Sequence, residues 1–248
     1  MKTPSEAISG IPEDSKMKAI LVAGGHGSRL LPMTKYTHKT LLPLCGRPII
    51  DYALATIRNS GIKDITIIGN KFIDKIRNHV GDGVNYVLEE SPQGVAAALQ
   101  LARTGNENTP LMIWFSDNIT NLNLKNDVAN FSTGAVLLTR EVQNPQEFGV
   151  AIIESGEIKG VIEKPSNPPS NIAIGGIYLF DQTFWQRLGA IEDLADFSIS
   201  DITNQYISEG NVKIISVGEN TWIDCGTPEN LILAAQMVED GKFTIQED

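Results

Sequence analysis

The sequence predicts an α/β fold built on a doubly wound, mostly parallel sheet, and three observations carry that expectation. Apolar runs of strand length alternate with segments of helical period, the pattern of βαβ units whose sheet is covered on both faces. The first clear helical segment closes on a glycine, where a left-handed stop is favoured. The second half changes character, with alternating strands about a tight turn that read as a hairpin.

Taken in order, KAILVA (residues 18–23) is short, apolar and β-forming, and reads as the first buried strand. IIDYALATIRNSG places Ile50, Ala53, Leu54 and Ile57 on one helical face and stops at Gly61. DITIIG (64–69) and LMIWF (111–115) are further buried strands, and QGVAAALQLAR is the next helix. The right-handed crossover rule stacks these units into one sheet. FGVAIIESGEIKGVIEKP then reads as two strands about Ser155-Gly156, and IAIGGIYLF as another strand. FSISDITNQYISEG and TPENLILAAQMVEDG read as helices with Ser200 and Thr227 as N-caps. Ligands in such sheets bind beyond the carboxyl ends of the strands, which sets the loop at Gly24, Asp117 and the segment around Asp224 along one edge.

The 248 residues, 42% apolar and 20% charged, suit one large domain. The polar, proline-containing MKTPSEAISGIPEDSK (1–16) reads as a flexible leader, leaving 17–248 as a single domain. A net charge of −10 argues against nucleic acid or an anionic membrane as partner, since both call for Lys and Arg spread over a face. No run reaches the roughly 18 apolar residues of a membrane span. Cys45 and Cys225 form neither a disulfide framework nor a zinc motif, so a reducing cytoplasm is the expected location. The oligomeric state stays open, a homo-oligomer included.

Against this acidic background, Ser15 to Ile50 holds no Asp or Glu but carries Lys16, Lys18, Arg29, Lys35, Lys39 and Arg47. Within it VAGGHGSRL follows the first strand, where Gly24, Gly25 and Gly27 let backbone N–H groups approach an anion and Arg29 adds a fixed charge. The loop is no Walker A motif, and the dinucleotide pattern G-x-G-x-x-G fails at Leu30. Lys39, directly before the apolar LLPL, is better placed than Lys35 to enter a cleft. Asp117 in WFSDN and Asp224 in WIDCGTPEN each follow a short apolar run, and two such carboxylates are a ligand set that suits Mg²⁺. Glu163 and Lys164 end the hairpin, and Pro165 favours a bend that would let both serve one site. His26, His38 and His79 match no metal or nucleophile motif, so histidine-based hydrolysis is not expected.

Together these pieces resemble the sugar-1-phosphate nucleotidylyltransferases, in particular the short-form glucose-1-phosphate thymidylyltransferases. The resemblance runs from Lys18 to about Val238 through LVAGGHGSRLLPMT, KTLLP, GRPII, SDNI, FGVA, IEKPSNPPSNIAIGGIYLF, FSISDITNQYISEG and WIDCGTPENLILAA, in that order. It implies a Rossmann-like sheet with an inserted sugar-binding half. The loop of Ala23, Gly24, Gly25, Gly27 and Ser28, with Arg29 and Lys39, would hold a nucleoside triphosphate. Asp117 and Asp224 would hold Mg²⁺. Glu163 would accept sugar hydroxyls, Lys164 would grip the sugar phosphate, and Gly149 and Ile174 would touch the sugar.

Where many relatives carry base-reading glutamines, this chain has Thr40 and Glu89. An ionised Glu only accepts hydrogen bonds, which suits donor-rich base edges, as in cytosine or guanine. Glu90, Gln93 or backbone near Gly94 are alternative readers. The implied activity is transfer of a nucleotidyl group, with dTTP or UTP favoured, to a sugar-1-phosphate. A cytidylyl- or guanylyltransferase acting on another phosphate or phosphonate is the alternative, and a non-catalytic nucleotide-sugar-binding homologue is a third reading.

Overall fold

The computed structural model describes residues 16–191 and 197–245. All but Lys16 of the leader read at 1–16 lies outside the described residues. β1 (Lys18–Ala23) alternates its side chains between two apolar layers. Ala19, Leu21 and Ala23 face one core cluster and Ile20 the other, as the two-residue period of a doubly covered strand requires. α1 (Ile49–Asn59) packs Ile50, Ala53, Leu54 and Ile57 into the first cluster, the face its periodicity predicts. Gly61 stops it at φ 91°, its N–H donating to the carbonyl of Arg58.

Two short strands, β2 (Pro43–Leu44) and β3 (Arg47–Pro48), precede that helix, and β4 (Ile65–Gly69), α2 (Ile73–Val80), β5 (Asn85–Leu88), α3 (Val95–Leu101) and β6 (Leu111–Phe115) follow it. β5, β4, β1 and β6 lie side by side and all parallel. Their carboxyl ends therefore open on one edge, where the glycine loop, Asn70, Glu89 and Asp117 emerge. α2 joins α1 on one face through Ile73 and Ile76, while α3 covers the other through Ala96, Ala98 and Leu99.

The second half runs through β7 (Asn118–Thr120), α4 (Lys125–Ala129), β8 (Ala135–Glu141), β9 (Gly149–Glu154), β10 (Glu157–Glu163) and β11 (Ile172–Phe180). It ends with α5 (Phe184–Gly189), α6 (Ile199–Ser208), β12 (Val212–Ser216), β13 (Trp222–Asp224) and α7 (Pro228–Glu239). The hairpin of β9 and β10 turns on Ser155 at φ 52° and Gly156 at φ 80°, a pair of left-handed residues that matches the twist of the flanking strands. β11 runs antiparallel to β6, β8 and β9 and welds this half to the parallel one, giving the mixed α/β sheet. Its pairing with β8 breaks between Ile174 and Tyr178. There a Cβ on Gly176 would lie 2.6 Å from the Asn118 amide, and one on Gly175 would lie 3.3 Å from the Trp222 ring. The two glycines let the sheet pass directly beneath the site.

Two helix starts bear on the N-cap expectations. Thr227 caps α7, its Oγ1 accepting from the N–H of Asn230 at 3.2 Å. Ser200 is not the cap of α6. The helix begins two residues earlier at Ser198 in a capping box, and the Asp201 carboxylate accepts the Ser198 N–H at 2.7 Å. Among the described residues no helix is long and apolar enough to cross a membrane.

Candidate active site

A cavity of about 680 Å³, a volume typical of small-ligand sites, opens over the carboxyl ends of the parallel strands and reaches the strands of the second half. One wall, at the glycine loop, includes Gly24, Gly25, Arg29, Lys39, Glu89 and Gly94, and the far wall includes Gly149, Glu163, Lys164 and Ile174. Asp117 and Asp224 lie with them in the same lining. Of the expected site residues, Ala23, Gly27 and Ser28 fall outside the lining. Ala23 is buried at the end of β1, and Gly27, at φ 63°, starts a 3₁₀ turn over Ser28–Leu30 that aims Arg29.

The loop is held from below by side chains. Asn70, buried after β4, donates from Nδ2 to the carbonyls of Gly24 at 3.1 Å and Gly25 at 3.3 Å. His38 lies 3.1 Å through Nε2 from the Gly25 carbonyl and accepts the Thr40 N–H at Nδ1. That pair of bonds needs the neutral ring protonated on Nε2. Burial first, and the Lys39 charge second, lower its pKa to about 4. Thr40 itself is fully buried and bonds to the Ser116 carbonyl rather than facing the cavity.

Of the three side chains that could read a base, Glu89 lines the cavity, whereas Glu90 and Gln93 do not. It is 4% exposed and packs against Gly24, where a Cβ would run into its carboxylate. Burial pushes this carboxyl up, while a backbone N–H of Gln93 and the nearby His26 act the other way.

Asp117 and Asp224 come from different strands. β13 pairs with β7 so that Asp224 faces Asn118, and the Cys225 N–H donates to the Asp117 carbonyl at 2.8 Å. A Cβ built on Gly226 would sit 2.6 Å from Oδ1 of Asp224, 3.3 Å from Nη2 of Arg29 and 3.4 Å from Oδ2 of Asp117, so all three groups converge on one point. Asp117 also contacts the Lys39 ammonium and accepts from Asn118 Nδ2 at 2.9 Å. Burial opposes its ionisation, but the Lys39 charge and these hydrogen bonds outweigh it and lower its pKa. Among the described residues no cation forms an ion pair with Asp224; burial and the Asp117 charge raise its pKa to about 6.

That asymmetry tests the donor set for a metal. Two carboxylates forced together need a cation, and among the described residues no third His, Cys, Asp or Glu completes a cage. Mg²⁺ is usually held this way, by one or two carboxylates with water and phosphate oxygens completing its shell. The charge of the lining agrees. The acid-free window contributes only Arg29 and Lys39, for Lys18 pairs with Asp64 at 3.0 Å and Lys35 lies over the Tyr36 ring. Among the described residues, these and Lys164 face five carboxylates, those of Glu89, Asp117, Glu147, Glu163 and Asp224. With that balance, a phosphate ligand would call for a divalent cation beside it.

On the far wall, Lys164 adopts φ 42° and donates its N–H to the Phe148 carbonyl, so the backbone turns at the position next to Pro165. Glu163 and Lys164 then both reach the cavity, with Nζ 3.6 Å from Oε1. Several lining residues had no distinguishing signal in the sequence. Glu147 reaches Arg29 at 3.8 Å across the mouth. Tyr178 stands buried in the wall near Glu163, and Trp222 donates to Asn118 Oδ1 at 2.9 Å while meeting the Phe148 ring edge-on. Each owes its place to tertiary packing.

Comparison with known proteins agrees with this architecture. A low-salt glycan biosynthesis nucleotidyltransferase, Agl11 of Haloferax volcanii, is 32% identical over 239 residues, covering 91% of this chain and 67% of the relative. A glucose-1-phosphate thymidylyltransferase of Neisseria meningitidis is 32% identical, covering 90% and 83%. A Bacillus anthracis crystal structure, described as a glucose-1-phosphate thymidylyltransferase in complex with sucrose, superposes with a TM-score of 0.87 at 31% identity over 93% of this chain and 98% of that one. An apo UDP-glucose pyrophosphorylase shares the fold, with a TM-score of 0.80 at 19% identity over 92% and 99%. The nucleotidyl transferase family profile spans residues 18–241, and the chain belongs to that family of enzymes.

Proposed function

We propose that the protein, with 17–248 as one catalytic domain, joins a sugar-1-phosphate to a nucleoside monophosphate. An oxygen of the sugar phosphate attacks the α-phosphorus of a nucleoside triphosphate in line. A new P–O bond forms, the bond to the β-phosphate bridge breaks, and pyrophosphate leaves with the electron pair. Glucose-1-phosphate, with dTTP or UTP, is the favoured substrate pair; the names of the relatives at about one-third identity support glucose-1-phosphate and dTTP. The single observation that carries the reading is the convergence of Arg29, Asp117 and Asp224 on one point between the glycine loop and the Glu163–Lys164 wall.

The chemistry asks little of the protein in proton transfer. A phosphate monoester whose second pKa is near 6 is already a dianion at neutral pH, so no general base is needed. What the transition state needs is positioning and positive charge. Arg29 and the Gly24–Gly25 backbone take the triphosphate, Lys39 leaves Asp117 to meet phosphate oxygen, and Lys164 holds the sugar phosphate. Gly149, Glu163 and Ile174 orient the sugar, while Glu89 and Gly94 border the base. Asp117 and Asp224 would hold Mg²⁺, which when bound supplies Lewis-acid charge to the phosphates. The described cysteines are both free, which suits a cytoplasmic location.

Glu89 favours a second reading of the base. An ionised carboxylate accepts but does not donate, so CTP or GTP would meet it better than dTTP or UTP. Pyrophosphate release from each of dTTP, UTP, CTP, GTP and ATP in the presence of glucose-1-phosphate tests both. Turnover with dTTP or UTP is expected; turnover only with phosphocholine or a phosphonate would replace the sugar reading.

A further inference from the structure

Ser200 reads in the sequence as a helix cap, yet α6 is capped by Ser198, which leaves the Ser200 hydroxyl free for another purpose. Ser200 is 5% exposed, and its Oγ donates to Oε2 of Glu163 at 3.2 Å. One turn on, Asn204 offers both ends of its amide to a single residue of β10. Its Oδ1 accepts the Val161 N–H at 2.7 Å, and its Nδ2 donates to the Val161 carbonyl at 3.0 Å.

The spacing makes these contacts one device. β10 is the outer strand of the sheet path, so Val161 turns an unpaired N–H and carbonyl outward, and Asn204 supplies the partners a further strand would have given. Residues four apart on a helix share a face, as do residues two apart on a strand. The Asn204–Val161 clamp therefore brings Ser200 level with Glu163. Gly149 on β9 completes the fit. A Cβ there would lie 3.2 Å from Oε2 of Glu163 and 3.4 Å from Oγ of Ser200, so the glycine leaves room for the bond. With Oε2 engaged by Ser200 and Oε1 at 3.6 Å from Lys164 Nζ, the carboxylate plane is fixed while lone pairs remain for sugar hydroxyls.

We propose that Ser200 is a positioning residue of the sugar site, which holds the Glu163 carboxylate in the orientation that receives the sugar, with Asn204 anchoring the helix that carries it. The inference rests on the sugar-phosphate reading of the site given above. A carboxylate half exposed to solvent would otherwise sample several rotamers and lose them on binding. Preorganisation here acts on one substrate alone.

The test compares Ser200→Thr with Ser200→Val, two side chains of the same shape that differ in the hydroxyl. With glucose-1-phosphate varied at saturating nucleotide, the Val variant should raise KM for the sugar phosphate about tenfold, the scale of one hydrogen bond to a charged group. The Thr variant should stay within about threefold of wild type, and KM for the nucleotide should not move in either. Equal sugar-phosphate KM values for Thr and Val, or an equal rise in both substrates' KM, would overturn the inference. If the Val variant fails to fold, Ser200→Ala and Ser200→Cys are read by the same split of KM values. Absence of wild-type turnover with every sugar phosphate would instead overturn the functional reading beneath it.

Discussion

Asp224 stands opposite Asn118 across the antiparallel ribbon of β13 and β7, and that register brings its carboxylate up beside that of Asp117. The Cys225 N–H to the Asp117 carbonyl fixes the same approach from the other side. Asp117 is buried and accepts from Asn118, and the half-buried Asp224 accepts the Gly226 N–H at 2.7 Å.

The glycine loop depends on an uncharged His38. Its folded pKa, about 4, lies below the unfolded value near 6.5, so the unfolded chain binds more protons between those limits. Stability is full above pH 6.5 and is lost as pH falls toward 4, by about 3 kcal/mol at most from this group. Urea midpoints at pH 7 and pH 5 should show a larger drop in wild type than in His38→Asn; identical slopes would remove the histidine from the account.

A Cβ on Gly24 would displace the buried carboxylate end of Glu89. Gly24→Ala should destabilise the protein by about 1–3 kcal/mol through overpacking and raise KM for the nucleotide. Adding Glu89→Ala should recover the stability. A Gly24→Ala protein with wild-type melting temperature would show that the loop has room after all.

Nucleotide choice should turn on Glu89. Replacing an acceptor-only group by Gln, which both accepts and donates, should raise kcat/KM for dTTP relative to CTP by about tenfold. The ratio cancels effects on the shared triphosphate. No change in it would assign base reading to backbone groups near Gly94.

Much of this arrangement was legible in the sequence where periodicity or chain chemistry acts locally. The face of α1, the turn at Ser155-Gly156 and the stop at Gly61 follow from residues a few positions apart. The start of α6 was misplaced at Ser200; the local mark that sets it at Ser198 is Asp201, three residues on, whose carboxylate closes the capping box. Asn70, Glu147, Tyr178 and Trp222 carried no local mark, since their partners lie in other elements. The cationic window gave half its meaning: backbone, Arg29 and Lys39 face the cavity beside four acids already marked in the sequence, Glu89, Asp117, Glu163 and Asp224, while Glu147 joins them only through folding.

The paired aspartates are the centre of the account, and pyrophosphate release from dTTP or UTP in the presence of glucose-1-phosphate and Mg²⁺, in wild type against Asp224→Asn, tests them most directly. The account predicts wild-type turnover and a fall in kcat of roughly 10² or more in the variant, the scale of losing a preorganised charge partner. A folded Asp224→Asn protein that turns over at the wild-type rate would contradict it.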